Sequence, residues 1–293
     1  MRRPKTILTI LSLTLIWLLV PGTPSAAQMN APRTTQRADG GTVIFRLLKE
    51  TEKFYIEPIV IINGGKYTEP PAGGATAVMK KFTDSYFKVG RQYRVIFGGG
   101  DAGSLTVQKY EPDMCGNLLA DVAAQTSAPL GGEVKALAVS SDKIGRGESS
   151  RRAPTEAERA SALEVARGVY GQRRVGATLV TQMKTVNLTA TDIERDGRFE
   201  LIGTFQIDGA NDLKHNLFVI FEPTAAGKYK AAWNWYENGY EDRRLVDVVD
   251  LDGDGTAEVI AEGFEIENNL YVIYKRQAGT WRPVYKGGGG GAC

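Results

Sequence analysis

The feature that most constrains this 293-residue chain is an internal duplication covering roughly its last third. One copy runs Asp192-Ile-Glu-Arg-Asp-Gly-Arg-Phe-Glu200-Leu-Ile, and the other runs Asp250-Leu-Asp-Gly-Asp-Gly-Thr-Ala-Glu258-Val-Ile, an offset of 58 residues. The likeness continues beyond the acidic segment. Phe205-Gln206-Ile207 matches Phe264-Glu265-Ile266, and Leu217 to Phe221 (LFVIF) matches Leu270 to Tyr274 (LYVIY). Lys228-Tyr229-Lys230 matches Thr280-Trp281-Arg282. Each unit reads as strand, acidic loop, strand, turn, strand, turn, strand. A short unit of that kind cannot bury its own apolar face, so two copies predict two small antiparallel sheets that lean on neighbours.

The acidic loop has its own chemistry. Asp250, Asp252 and Asp254 alternate along the chain, and Gly253 and Gly255 permit a tight coil that brings their carboxylates together. Converging carboxylates repel unless a cation joins them. A hard divalent ion with oxygen ligands does this, and calcium takes about six to eight such oxygens. Thr256 offers a backbone carbonyl, and Glu258 closes the loop at its ninth position. An EF-hand would need Glu at the twelfth position, where this chain has Ala261 inside a strand pattern. The expectation is a structural Ca2+ ion at the Asp250 loop. The other loop is degenerate: Asp192, Glu194, Asp196 and Glu200 stand in the ligand positions, with Arg198 available only through its backbone carbonyl. The longer Glu194 and the nearby Arg198 charge favour a plain Asp-Gly turn there, its carboxylates capping backbone amides.

The pattern D-L-D-G-D-G-x-x-E-V-I at 250–260 resembles the FG-GAP, or integrin-type β-propeller, repeat, also seen in VCBS-type exported bacterial proteins. The resemblance spans about residues 185–285. It implies calcium in the hairpin loops and repeats shaped as propeller blades. A propeller closes with about four to eight blades, and this chain carries two clear repeats. The expected fold is therefore mainly β with two short helices. Its blade-like antiparallel repeats would form an open unit against an N-terminal β-rich region rather than a complete closed propeller.

The N-terminus sets the compartment. Met1 to Lys5 is basic, Thr6 to Val20 is an apolar run of 15 residues, Pro21 to Pro24 breaks it, and Ser25-Ala26-Ala27 supplies small residues before Gln28. This is the layout of a Sec-type signal peptide, and the run is short against the roughly 20 residues of a bilayer span. The expectation is an extracytoplasmic protein with no stable membrane span after cleavage; an uncleaved N-terminal anchor is the alternative. Charge agrees with the absence of a nucleic-acid role. The 36 Lys and Arg exceed the 34 Asp and Glu, but Arg2, Arg3 and Lys5 belong to the signal, and without them the acids lead.

The organisation then reads as signal peptide 1–27, disordered leader 28–41, β-rich region 42–150, connecting helix 151–176, two repeats 177–286 and a flexible Gly-rich tail 287–293. Strands are expected at 42–49, 54–62, 91–97 and 104–109, and a short amphipathic helix at 75–87, while 110–150 carries no clear pattern. Gly98 to Gly103 matches G-x-G-x-x-G by letters, but strand follows where a dinucleotide site needs a helix, so it is a hairpin loop. Thr155 and Glu158 make a capping box that opens the second helix, with Leu163, Ala166, Val169 and Tyr170 as its buried stripe.

Catalytic chemistry has few footholds. His215, the one histidine, is expected in an exposed turn. Cys115 and Cys293 form a candidate disulfide in an oxidising compartment. The segment AWNWYENGYED gathers Trp233, Trp235, Tyr236, Glu237, Tyr240 and Glu241. Those aromatics suit a sugar ring, and the carboxylates suit acid–base work on it. The leading expectation is an exported, non-catalytic, calcium-stabilised β-repeat protein that binds a protein or glycan or acts as an envelope scaffold. The alternatives are an extracytoplasmic, carbohydrate-active hydrolase using that segment, and an interaction subunit of an envelope complex.

Overall fold

The computed structural model describes residues 41–72, 76–112, 116–211, 213–266 and 268–291. The segment expected to be a signal peptide, nearly all of the expected leader, and both cysteines of the candidate disulfide lie outside the described residues.

The N-terminal region is built from β1 (Thr42–Glu50), β2 (Lys53–Asn63), β3 (Lys66–Thr68), helix α1 (Ala77–Tyr86), β4 (Gln92–Phe97), β5 (Gly100–Tyr110), β6 (Ala120–Thr126) and β7 (Ala136–Val139). The strands pair antiparallel in the order β1-β7-β4-β5-β6-β2-β3, and β1 also pairs with β2. That last pairing closes six strands into a barrel-like ring and leaves β3 as an extension of β2. The ring's inward positions hold Phe45, Leu47, Ile56, Tyr93, Val95 and Leu105, and α1 adds Met79, Phe82 and Tyr86 to the same apolar cluster. Thr76 caps α1 by accepting the Met79 N–H at 3.2 Å. β6 and β7 fall in the stretch that carries no readable pattern. Their sequences, ADVAAQT and ALAV, are dominated by small residues, and their strand state comes from pairing rather than propensity.

Next come α2 (Glu156–Gln172) and the single turn α3 (Ala177–Val180). The α2 capping box is formed as expected, and its buried residues are Ala162, Ala166, Val169 and Tyr170. The first repeat is a meander of β8 (Lys184–Thr191), β9 (Glu200–Asp208), β10 (Lys214–Pro223) and β11 (Tyr229–Gly239). The second is β12 (Asp242–Val249), β13 (Glu258–Phe264), β14 (Asn269–Gln277) and β15 (Thr280–Gly287). Among the described residues the fold is mainly β, with two four-stranded antiparallel sheets, one barrel-like sheet and no closed propeller.

The layers stack in the order α2, first repeat sheet, second repeat sheet, barrel. Ala166, Val169 and Tyr170 of α2 pack on Leu201, Phe205, Leu217 and Val219. The opposite face of that sheet, Ile202, Phe218 and Ile220, packs on Val259, Ala261, Val272 and Tyr274 of the second. The far face of the second sheet, Ile260, Tyr271 and Ile273, packs on Ile44, Val60, Ile96 and Leu137 of the barrel. Both faces of each repeat sheet are thus covered. This explains the unbroken apolar runs LFVIF and LYVIY, where a half-exposed strand would alternate.

Charged groups tie the seams. Asp247 of β12, fully buried, accepts the Gly98 N–H with both oxygens at 3.0 and 2.9 Å and pairs with Arg151 at 3.2 Å. Between barrel and second sheet, Arg46 pairs with Glu57 at 2.5 Å and with Glu262, while Lys135 reaches Glu262 at 3.2 Å. Tyr271 donates to the same Glu57 at 2.5 Å.

The Gly-rich tail departs from expectation. Residues 288–291 are not free: Gly291 donates to Asn117 Oδ1 at 3.2 Å and accepts from its Nδ2 at 3.3 Å, and Gly290 donates to Asn269 Oδ1 at 2.8 Å. At Gly289, φ is +87° and a Cβ would stand 2.1 Å from the Asn269 carbonyl oxygen. Glycine serves close backbone approach at this position rather than flexibility. Among the described residues no helix is long and apolar enough to cross a membrane.

Candidate functional site

The two acidic loops join β8 to β9 and β12 to β13. Their backbones fold alike, because the first aspartate of each wraps the coil around its carboxylate. Asp250 accepts the Gly253 and Gly255 N–H groups at 2.7 and 3.0 Å, and Asp192 accepts those of Asp196 and Gly197 at 3.0 and 2.9 Å. Asp254 accepts the Thr256 N–H at 2.9 Å, as Asp196 accepts that of Arg198 at 2.8 Å. The ninth-position acids turn inward: Glu258 accepts the Leu251 N–H at 2.8 Å and Glu200 the Ile193 N–H at 3.0 Å. Burial pushes each of these two carboxyls up to about 7, against the pull of those amides. Gly253 lies at φ +81°, and its counterpart Arg195 adopts φ +56° despite its side chain. That side chain donates to the carbonyls of Gly99 at 3.1 Å and Arg146 at 3.3 Å.

The expected calcium ligands do converge. One carboxylate oxygen from each of Asp250, Asp252 and Asp254 lies within 4.8 Å of the others. A cation already stands among them. The Lys275 ammonium, carried on β14, contacts Asp252, reaches Asp254 at 2.8 Å and reaches Glu258 at 3.1 Å. Its side chain is only 15% exposed. These acids hold its pKa well above the ordinary lysine value in spite of desolvation. Tyr67 of β3 also faces this group: burial, with Glu258 and Asp252 adding to it, raises its hydroxyl pKa. The donor set therefore suits a hard ion in type and spacing, and the cation that meets Asp252, Asp254 and Glu258 in this structure is the Lys275 ammonium.

The degenerate loop is neutralised from elsewhere. Glu222 of β10 holds the register position that Lys275 holds on β14, since Phe221 pairs with Leu201 as Tyr274 pairs with Val259. The first loop thus gains an acid where the second gains a base. Arg276, the next residue along β14, answers it across the seam by pairing with Glu194 and, at 3.1 Å, with Glu222. Lys230 adds a contact to Glu222 at 3.3 Å. Arg198 points away and donates to the Pro223 carbonyl at 3.0 Å. Glu222, Lys275 and Arg276 were not among the expected site residues. The signal was present at the position after LFVIF and LYVIY, where the two copies carry opposite charges.

The aromatic-acidic segment does not form one platform. Strand alternation on β11 turns Trp233 and Trp235 toward the second repeat sheet and Tyr236 toward α2. Arg243 lies 4.1 Å from the Trp235 ring centre, and Glu241 accepts from its Nε and Nη2, both at 3.1 Å. Burial, then the Glu241 charge, raises the Glu237 carboxyl pKa. Tyr240 stands exposed in the following turn. His215 lies on β10 rather than in a turn and is half-buried, its Nδ1 2.8 Å from the Tyr236 hydroxyl. It is held there because Tyr236 comes from the paired strand on the same face. Comparison with known proteins returns no match for this chain among family models, curated proteins or solved structures.

Proposed function

We propose that the protein is an exported, non-catalytic β-repeat scaffold of FG-GAP or VCBS type, working by binding or by holding envelope components together. One observation carries this reading: the charged groups at the sheet seams and in both loops are spent on each other. Arg46, Arg151, Arg243, Lys275 and Arg276 each pair with an internal carboxylate. Export rests on the Met1–Ala27 segment. The test is cell fractionation combined with a glycan panel. The protein is expected in the extracytoplasmic fraction and is expected to leave every glycan uncleaved. Hydrolysis that disappears in Glu237→Gln and Glu241→Gln would replace this reading with the carbohydrate-active one.

Calcium stabilisation is the second reading, favoured by the convergence of Asp250, Asp252 and Asp254. It requires Lys275 to swing out of the loop. A calcium-dependent rise in melting temperature of the unaltered protein is its signature.

A further inference from the structure

We infer that Lys275 is the resident cation of the Asp250 loop and stands where such a loop would otherwise hold a divalent ion. It follows that the unaltered protein folds without metal.

Geometry supplies the first argument. The ammonium contacts three acids, Asp252, Asp254 and Glu258, which come from both ends of the loop. A surface lysine pairing with one neighbour would not bridge the loop's third, fifth and ninth positions. The remaining acid, Asp250, spends both oxygens on loop amides and needs no further counter-charge. One cation therefore faces every loop acid that the amides leave over, with the buried Glu258 Oε1 meeting it as an ion pair and accepting no hydrogen bond.

The arrangement of β14 supplies the second argument. Adjacent strand residues point to opposite faces. Lys275 serves its own loop, and Arg276 serves Glu194 and Glu222 of the other repeat. Two consecutive side chains on one strand thereby neutralise both loops. The Arg276 contacts cross the seam between the repeat sheets, so neutralising the first loop also joins the two repeats.

The inference deepens the scaffold reading, and its test is separate from the glycan panel. Purified protein is melted in excess chelator and in millimolar CaCl2, alongside Lys275→Gln and the double variant Lys275→Gln with Asp254→Asn. The unaltered protein is expected to melt at the same temperature in both solutions. Lys275→Gln is expected to melt lower in chelator, and calcium is expected to raise it by several degrees, on the order of 100 Kd of ligand being enough for such a shift. The double variant loses that rise. If Lys275→Gln is unfolded in chelator and calcium restores it, the inference stands. If the unaltered protein gains as much from calcium as Lys275→Gln does, or if folded Lys275→Gln gains nothing, the inference is overturned. A footprint on the unaltered protein gives an independent reading. Acetylation of Lys275, read by mass spectrometry, is expected to be slow with and without calcium; labelling that calcium accelerates would show the ion evicting the ammonium and would also overturn it.

Discussion

Glu222 and Lys275 show how one register position sets the electrostatics of a whole loop. Each follows an apolar run buried on both faces; Lys275 reaches the ninth-position acid of its repeat at 3.1 Å, whereas Glu222 shares Arg276 with Glu194. Lysine there resolves the repulsion locally; glutamate compounds it and makes the repeat depend on Arg276 from its neighbour. Glu158 is a simpler case. Arg152 donates to both of its oxygens, at 2.8 and 2.7 Å, and the Thr155 N–H donates at 2.7 Å. The Arg152 hydrogen bonds are the main cause that lowers this carboxyl from 4.5 to about 2. A folded pKa below the unfolded one means that the contribution is complete above about pH 4.5 and is lost as pH falls toward 2. Glu158→Gln is expected to cost about 1 kcal/mol at pH 7, the usual worth of a cap in a partly exposed setting. The deficit should vanish near pH 2, where the parent carboxyl is itself becoming protonated. Urea midpoints of the two proteins at both pH values measure this, and a deficit that persists unchanged at the lower pH would assign the effect to packing instead.

At the scale of elements, the docked tail makes a further prediction. Gly291 and Asn117 exchange two hydrogen bonds, and Cys293 and Cys115 each follow or precede that pair by two residues along the chain. The tail's docking brings the two sequence neighbourhoods to one place, so protein isolated from an oxidising compartment is expected to carry no titratable thiol until reduced. Two free thiols under denaturing, non-reducing conditions would exclude the bridge. Removing residues 288–293 should lower the melting temperature in either case, because the half-buried Asn117 and Asn269 lose these hydrogen bonds. This tail was misjudged from sequence because consecutive glycines look alike whether they confer freedom or permit close approach; only the Asn269 backbone beside Gly289 separates the two. The repeat strands were legible because LFVIF and LYVIY recur in register with the loops. α2 was legible because Thr155 and Glu158 are local signals. β6 and β7 were not, since their small residues carry almost no intrinsic preference and pair only once the barrel closes. The loop acids were legible as a convergent cluster, whereas their cation came from a strand over twenty residues away and no local motif announces it.

For the whole molecule, the stack of α2, two repeat sheets and barrel implies shared stability, because each sheet is the neighbour's cover. The barrel's outer residues Ile44, Val60, Ile96 and Leu137 would be bare without the second repeat sheet. Glu262 is the most informative place to test this coupling. It is fully buried on β13 and pairs with two barrel residues, Arg46 and Lys135, at a seam where Arg46 and Tyr271 already share Glu57. Glu262→Leu removes the acid and leaves two cations at that seam with one carboxylate between them. Breaking a buried pair in this way costs about 3–5 kcal/mol, mostly from the uncompensated charge, and a loss of that size is expected in denaturant unfolding. Adding Lys135→Met removes one of the stranded cations and leaves Arg46 with Glu57, so the double variant should recover much of the loss. If the layers share one transition, a fluorescence probe dominated by the tryptophans and far-ultraviolet circular dichroism will shift together in both variants. Separate midpoints for the two signals would show that the barrel and the repeats unfold independently of each other, and Glu262 would then be a local tie rather than part of the framework.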